Sequence, residues 1–128
     1  MYAATALKQY QSVNVQAQVF DTTPHRLIQM LMEGGLGRLA QARGAMERGQ
    51  VALKGELLGK TIAIIGGLRE GLDLQKGGDI AENLDRLYEY MTGRLLEANV
   101  KDDIGLVEEV AGLLREIKSG WDGIAPTA

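Results

Sequence analysis

Residues 76–91 read KGGDIAENLDRLYEYM, in which two glycines run directly into a helix-start signal and a helical repeat of apolar residues. Gly77 and Gly78 can adopt the positive φ that ends a helix. Asp79 is then predicted as the N-cap of the next helix, with Glu82 completing a capping box. The chain is therefore expected to reverse direction at the two glycines, between two long helices.

The segment after Asp79 repeats its apolar residues at intervals of three or four, which places them on one face of an α-helix. These residues are Ile80, Leu84, Leu87, Met91, Leu95 and Ala98. Tyr88 and Tyr90 flank this face, so at least one of the two rings is expected at the edge of the buried surface. The helix is predicted to end near Asn99.

Two helices are predicted before the double glycine. Thr23 as N-cap and Pro24 at the first helical position begin one that ends near Gly49. The second runs from about Val51 to Lys76, because apolar residues recur through it with helical spacing.

A last helix is predicted after two acidic residues at positions 102 and 103, with an apolar seam typical of coiled-coil packing. The seam consists of Val107, Val110, Leu114, Ile117 and Trp121, and Trp121 is assigned to the core. Four long helices with short connections place chain neighbours antiparallel. The sequence thus predicts an all-α fold, an antiparallel up-and-down four-helix bundle over residues 22–121 of a single domain, residues 1–128.

The composition argues against several classes of function. The 128 residues carry 14 basic and 17 acidic side chains, a net charge of −3, without a basic cluster, so nucleic acid is not expected as a partner. No apolar run approaches the roughly 20 residues that cross a bilayer, and the N-terminus lacks a signal-peptide pattern. With no cysteine in the sequence, we expect a cytoplasmic protein without membrane insertion.

The chain lacks the parts of a catalytic or metal site. His25 is the single histidine, which excludes a di-iron bundle, and no serine-base or cysteine-base set is present. The Gly59-Lys60-Thr61 tripeptide resembles the end of a P-loop, but Lys54 occupies the first glycine position and the context is helical. We predict no enzyme activity, no metal and no cofactor. His25 is expected to face solvent, so that His25→Ala is near neutral.

The second helix has an unusually wide apolar face made of two adjacent stripes. One stripe consists of Leu57, Ile64 and Leu68, and the other of Leu58, Ile62 and Ile65. One stripe suffices for a bundle core, so the other is expected to lie against another helix, the N-terminal segment or a partner. The sequence leaves a partner groove and internal burial equally open.

The ordered set of motifs resembles the flagellar export chaperones that bind flagellin. It includes Met1-Tyr2, Tyr10, the PHRLIQML segment at 24–31, Gly34, Gly49, residues 76–91, residues 94–99 and Trp121. The resemblance implies binding of the disordered C-terminal segment of flagellin, prevention of premature polymerisation, and delivery to the membrane protein of the export gate. The protein is expected to be a monomer or a weak homodimer.

The resemblance and the apolar pattern together indicate the candidate functional residues. The client-binding candidates are Leu27, Leu31, Leu58, Ile62, Ile65, Tyr88, Tyr90 and Met91. The family also docks to the export gate through its N-terminal segment, where Leu7 and Tyr10 match. Residues 1–20 are expected to be a capping segment that covers an apolar groove until a client displaces it, and residues 122–128 a tail. The alternative function is a non-catalytic helical module that self-associates through its wide apolar face.

Overall fold

The structure, a computed structural model, describes residues 23–124. This part of the chain forms four α-helices and no strand: α1 (Pro24–Glu47), α2 (Val51–Glu70), α3 (Leu74–Lys101) and α4 (Ile104–Asp122). The predicted capping segment, residues 1–20, lies outside the described residues, as does most of the predicted tail.

The helices form a closed ring in which chain neighbours are also spatial neighbours. α1 packs against α2 and α4, and α3 packs against the same two helices. Residues near the start of α1 meet the end of α4, where His25 contacts Trp121, and Arg43 near the end of α1 pairs with Glu108 near the start of α4. Neighbours are therefore antiparallel, and the predicted up-and-down four-helix bundle is confirmed.

The predicted ends of α1 are also confirmed. Thr23 is its N-cap, because the Thr23 hydroxyl accepts a hydrogen bond from the Arg26 backbone N–H at 3.1 Å. Gly49 follows the helix with a φ of 70°, a conformation that glycine adopts without steric penalty.

The predicted reversal between α2 and α3 is misplaced. The chain turns at residues 71–73, and Asp73 rather than Asp79 is the N-cap of α3. The Asp73 carboxylate accepts hydrogen bonds from the backbone N–H groups of Gln75 and Lys76 at 3.2 and 3.0 Å. An upstream aspartate thus provides the cap that the sequence interpretation assigned to Asp79.

Gly78 does adopt the positive φ expected of it, but inside a helix. Its φ of 55° and ψ of −133° kink α3 after its first turn. The kink changes which residues of α3 reach the core. Ile80 was predicted to be buried and is 74% exposed, whereas Met91, Leu95 and Ala98 of the same face are buried as predicted.

The core is filled by large aliphatic side chains from all four helices. The most deeply buried are Leu31, Leu39, Leu58, Ile65, Met91, Leu95, Val107, Val110 and Leu114. Three helices come together at Gly35 of α1, where an added Cβ would lie 3.2 Å from Leu114 Cδ2 and 3.7 Å from Ile64 Cγ2. Glycine at this position lets α1 approach both α2 and α4 closely.

Two polar links fix α2 against α3, one near each end. The buried Lys54 ammonium donates to the Asn99 carbonyl at 3.2 Å and to Asp102 Oδ1 at 3.1 Å. At the other end, Arg69 Nε donates to Asp85 Oδ1 at 2.6 Å. This hydrogen bond is the main reason that the pKa of the Asp85 carboxyl lies below its ordinary value.

We predict that acid removes the stabilisation provided by Asp85. A carboxyl with a depressed pKa in the folded state stabilises the fold above its unfolded pKa and loses that effect as the pH falls through the folded value. Wild type should therefore exceed Asp85→Asn in urea midpoint near neutral pH, and the two should converge between about pH 5 and pH 2. Urea denaturation followed by circular dichroism measures both midpoints. A difference that stays constant across this range contradicts the assignment.

Candidate functional site

An apolar cavity of about 400 Å³ opens at the end of the bundle where α1 and α3 begin and α2 and α4 end. Its walls include Ile28 and Met32 of α1, Leu68 of α2, Leu84 and Tyr88 of α3, and Ile117 and Trp121 of α4. The cavity exists because α3 buries no residue before Ala81. The other three helices therefore lack a complete fourth wall at this end.

The walls of the cavity suit apolar side chains. Burying one large apolar side chain there stabilises a complex by about 1.5–3 kcal/mol, because its surface leaves water. Tyr88 is buried in the wall, and burial raises the pKa of its phenol to about 12. Like an unperturbed tyrosine, it is neutral at physiological pH and adds no charge to the cavity.

His25 and Trp121 form a clasp at the cavity rim. The His25 Nε2 donates to the Trp121 carbonyl at 2.8 Å, and the Trp121 indole N–H donates to the His25 carbonyl at 2.9 Å. The two rings also stack, with centroids 4.7 Å apart. The clasp joins the first turn of α1 to the last turn of α4.

This geometry corrects two expectations. His25 does not merely face solvent, because its ring is held between a backbone acceptor and an aromatic face. Trp121 packs against the core but is only half-buried, since one side of it lines the cavity. Because His25 makes these contacts, His25→Ala is expected to destabilise the bundle and not to be near neutral.

The wide apolar face of α2 is covered on both sides by neighbouring helices. Ile64 faces α1 at Gly35, while Leu58 and Ile65 lie one turn from Lys54 and Arg69, the two side chains that reach α3. Leu58 is 1% exposed and Ile65 is 0% exposed. Both were predicted as client contacts, and both are core residues of the bundle.

Of the stripe formed by Leu58, Ile62 and Ile65, only Ile62 is partly exposed, and its neighbours on that face of α2 are glycines. Gly55, Gly59, Ile62 and Gly66 share one face of α2, at spacings of four, three and four residues. A Cβ added at any of the three glycines meets no atom within 4 Å, and Ile62 is half-buried. This glycine face is open and nearly flat, which lets another backbone approach α2 closely.

The remaining predicted contacts do not form one surface. Leu31 and Met91 are core residues, Leu27 is half-buried on α1, and Tyr88 lines the cavity. Tyr90 lies on the α3–α4 side, so one of the two tyrosine rings is exposed as expected. Leu7 and Tyr10 lie outside the described residues.

Tyr90 is held in a polar cluster of its own. Its hydroxyl donates to Glu109 Oε2 at 2.6 Å, and Arg94 Nε donates to Glu109 Oε1 at 2.9 Å. The hydrogen bond to Tyr90, followed by that to Arg94, holds the pKa of Glu109 below its ordinary value. The cluster links α3 to α4 and is separate from the cavity lining.

Across residues 23–124, no helix is long and apolar enough to cross a membrane. The same residues contain no group of three or more His, Cys, Asp or Glu side chains that could hold a metal ion.

Comparison with known proteins matches residues 6–128 to the family described as flagellar protein FliS. The Pseudomonas aeruginosa flagellar secretion chaperone FliSB is 66% identical over 125 residues, covering 98% of this chain and 99% of that protein. The Salmonella typhimurium flagellar secretion chaperone FliS is 48% identical over 129 residues, covering 100% and 96%. The Bacillus subtilis protein of the same name is 32% identical over 106 residues, covering 83% and 78%.

We predict that His25→Ala destabilises the bundle by about 1–2 kcal/mol, because it removes a hydrogen bond and a ring contact between α1 and α4. Leu114→Ala, a fully buried core position, provides the upper reference at about 2–5 kcal/mol. Arg115→Ala is the matched surface control on α4 and should change little. Urea unfolding measures all three, and an effect of His25→Ala no larger than that of Arg115→Ala would show that the clasp is incidental.

Proposed function

The chain belongs to the FliS family of flagellar proteins, non-enzymatic chaperones of flagellar secretion, and we propose that it binds the disordered C-terminal segment of flagellin in the bacterial cytosol. A segment held on the bundle cannot join a filament, so premature polymerisation is prevented. The complex is then delivered to the membrane protein of the export gate. The observation that carries the proposal is the apolar cavity left open at one end of the bundle.

The cavity gives the client its apolar anchor. A disordered amphipathic segment gains helix when its apolar face enters a complementary surface, and the entropy lost on ordering keeps the affinity moderate. Moderate affinity suits a chaperone that must release its client for export. Side chains from one turn of the client helix enter the cavity beside Leu84 and Tyr88.

The glycine face of α2 supports a second contact. From Gly55 to Gly66 it extends about 16 Å along the helix, at 1.5 Å for each residue. A client helix can approach this face closely because three of its four positions have no side chain, and Ile62 supplies the apolar contact. We propose that Leu31, Leu58, Ile65 and Met91 support these surfaces from within the core and do not touch the client.

Residues 1–20 are proposed to cover the apolar surface of the free protein and to carry the export-gate contacts, Leu7 and Tyr10. One observation and one general argument support this role. Thr23, where the described chain begins, precedes the first turn of α1 at the cavity end of the bundle. A segment tethered beside its site acts at a high effective concentration, so a weak contact suffices to shield the cavity.

Self-association is the second candidate function. The wide apolar face of α2 through which it was expected is buried except at Ile62, and the outer surface of α3 favours it instead. Leu96 and Val100 are both exposed and lie one turn apart, forming an apolar patch away from the cavity. Two exposed apolar side chains support at most a weak homodimer. Sedimentation velocity with and without a flagellin C-terminal peptide separates the two functions, since a chaperone binds the peptide and a self-associating module forms dimers regardless.

We predict a one-to-one complex with a flagellin C-terminal peptide. Apolar burial should give a negative heat-capacity change, and the peptide should gain helix.

Leu84→Gln should weaken binding about tenfold, because it places an amide in the cavity wall. Leu96→Gln is the matched control on the same helix, outside the cavity. Isothermal titration calorimetry and circular dichroism measure these quantities, and equal affinities for the two variants would contradict the cavity as the anchor.

The same titration tests the glycine face through Ile62→Asp. Ile62 is half-buried, so the variant should retain the bundle, as its thermal melt will show, while losing affinity for the peptide. A folded Ile62→Asp protein that binds as tightly as wild type would remove this face from the client site and leave the cavity.

We predict that deletion of residues 1–20 increases the binding of a hydrophobic dye to the free protein, because the cavity loses its cover. Affinity for the flagellin peptide should stay equal or rise, since nothing competes with it. Binding to the export-gate protein should be lost with Leu7 and Tyr10. If the truncated protein unfolds, or if dye and peptide bind unchanged, the segment is not a displaceable cover.

A further inference from the structure

The start of α3 contains no buried residue. Every residue from 73 to 80 is exposed, including two large apolar ones, Leu74 at 50% and Ile80 at 74%. A helical turn with no buried face gains little from packing and is weak by itself. Its hydrogen bonds are local, because the backbone N–H groups of Gln75 and Lys76 donate to the Asp73 carboxylate. This turn is therefore held by its two ends and not by the core.

Gly78 separates this turn from the fixed part of α3. Its φ of 55° and ψ of −133° form a conformation that costs a residue with a side chain appreciable strain. Beyond it, Ala81 is the first buried residue, and Asp85 is bound to Arg69 of α2. α3 is thus divided into a short arm before the kink and a body anchored to α2 after it.

The arm stands beside the cavity. Leu72, in the connection that leads into it, and Ile80, just after the kink, both line the cavity wall. Leu74 lines a neighbouring depression together with Gly66 and Arg69 of α2. Leu72 belongs to the lining of both, so the cavity and this depression are neighbours on either side of it.

We propose that residues 73–77 form a short arm that closes on the bound client through backbone rotation at both of its ends, in the connection 71–72 and at Gly78, an inference that rests on the proposed function. Leu74 on the arm and Ile80 at its base then both contact the client. The occupant is an amphipathic helix of the flagellin C-terminal segment. Its apolar face supplies the cover that residues 23–124 do not give to Leu74 and Ile80, so closure removes both side chains from water. The arm thereby contributes the missing wall of the cavity only when a client is present.

Hydrogen–deuterium exchange on the full-length wild-type protein tests the motion. Amides of residues 71–80 should exchange quickly in the free protein and at least about tenfold more slowly with saturating flagellin peptide, because closure buries the turn. Exchange of residues 71–80 that is unchanged by a bound peptide would overturn the arm while leaving the chaperone function intact. Failure of wild type to bind the peptide would overturn both.

Substitutions test the contacts. Leu74→Ser combined with Ile80→Ser should weaken peptide binding about tenfold and leave the urea midpoint unchanged, since both residues are exposed in the free protein. Gly78→Ala should lower the urea midpoint, because alanine disfavours the positive φ that Gly78 adopts in the free protein. Gly93→Ala is the matched control on α3, where an added Cβ meets no atom within 4 Å. Equal affinity of the double variant and wild type would overturn the proposal, whether or not Gly78→Ala folds.

Discussion

The central constraint on this bundle is that α3 packs against the core only from Ala81 onward, while α1, α2 and α4 all extend further at that end. The Arg69–Asp85 ion pair lies one turn beyond Ala81 and ties the last turn of α2 to this part of α3. Beyond that pair the wall from α3 is incomplete, because Leu84 and Tyr88 line the cavity but no residue of α3 before Ala81 is buried. The cavity and the exposed arm are two consequences of the same incomplete packing, and Trp121 at the end of α4 becomes part of the lining.

Periodicity predicted the fold because a bundle depends mainly on which face of each helix is apolar, and that can be counted. The boundary between α2 and α3 was harder to predict. Asp73 and Asp79 can both cap a helix, and the local sequence does not favour either one. The choice depends on how far α2 packs, which is a tertiary property. The positive φ of Gly78 was correctly predicted, but the same conformation serves a turn or a kink, and only the position of Asp73 as the cap decides between them.

The site was less predictable than the fold for a related reason. Helical spacing gives the angle of a side chain about its own helix but not the helix that it faces, so Leu58, Ile62 and Ile65 looked equivalent. In the bundle, α3 covers two of them and leaves Ile62 among the glycines. His25 was misjudged because its partner, Trp121, is 96 residues away in sequence. The two meet only through the register of α1 against α4, which no local pattern contains. Gln29 and Asp122, joined at 2.7 Å beside them, depend on the same register.

The most direct test uses Trp121, the single tryptophan of the chain, which lines the cavity. A flagellin C-terminal peptide without tryptophan is titrated into the full-length protein while the emission spectrum is recorded. If the client enters the cavity, the Trp121 emission shifts to shorter wavelength as water is displaced, and it saturates at the stoichiometry found by calorimetry. Binding that is detected by calorimetry with no change in Trp121 emission would place the client elsewhere and contradict the cavity as its anchor.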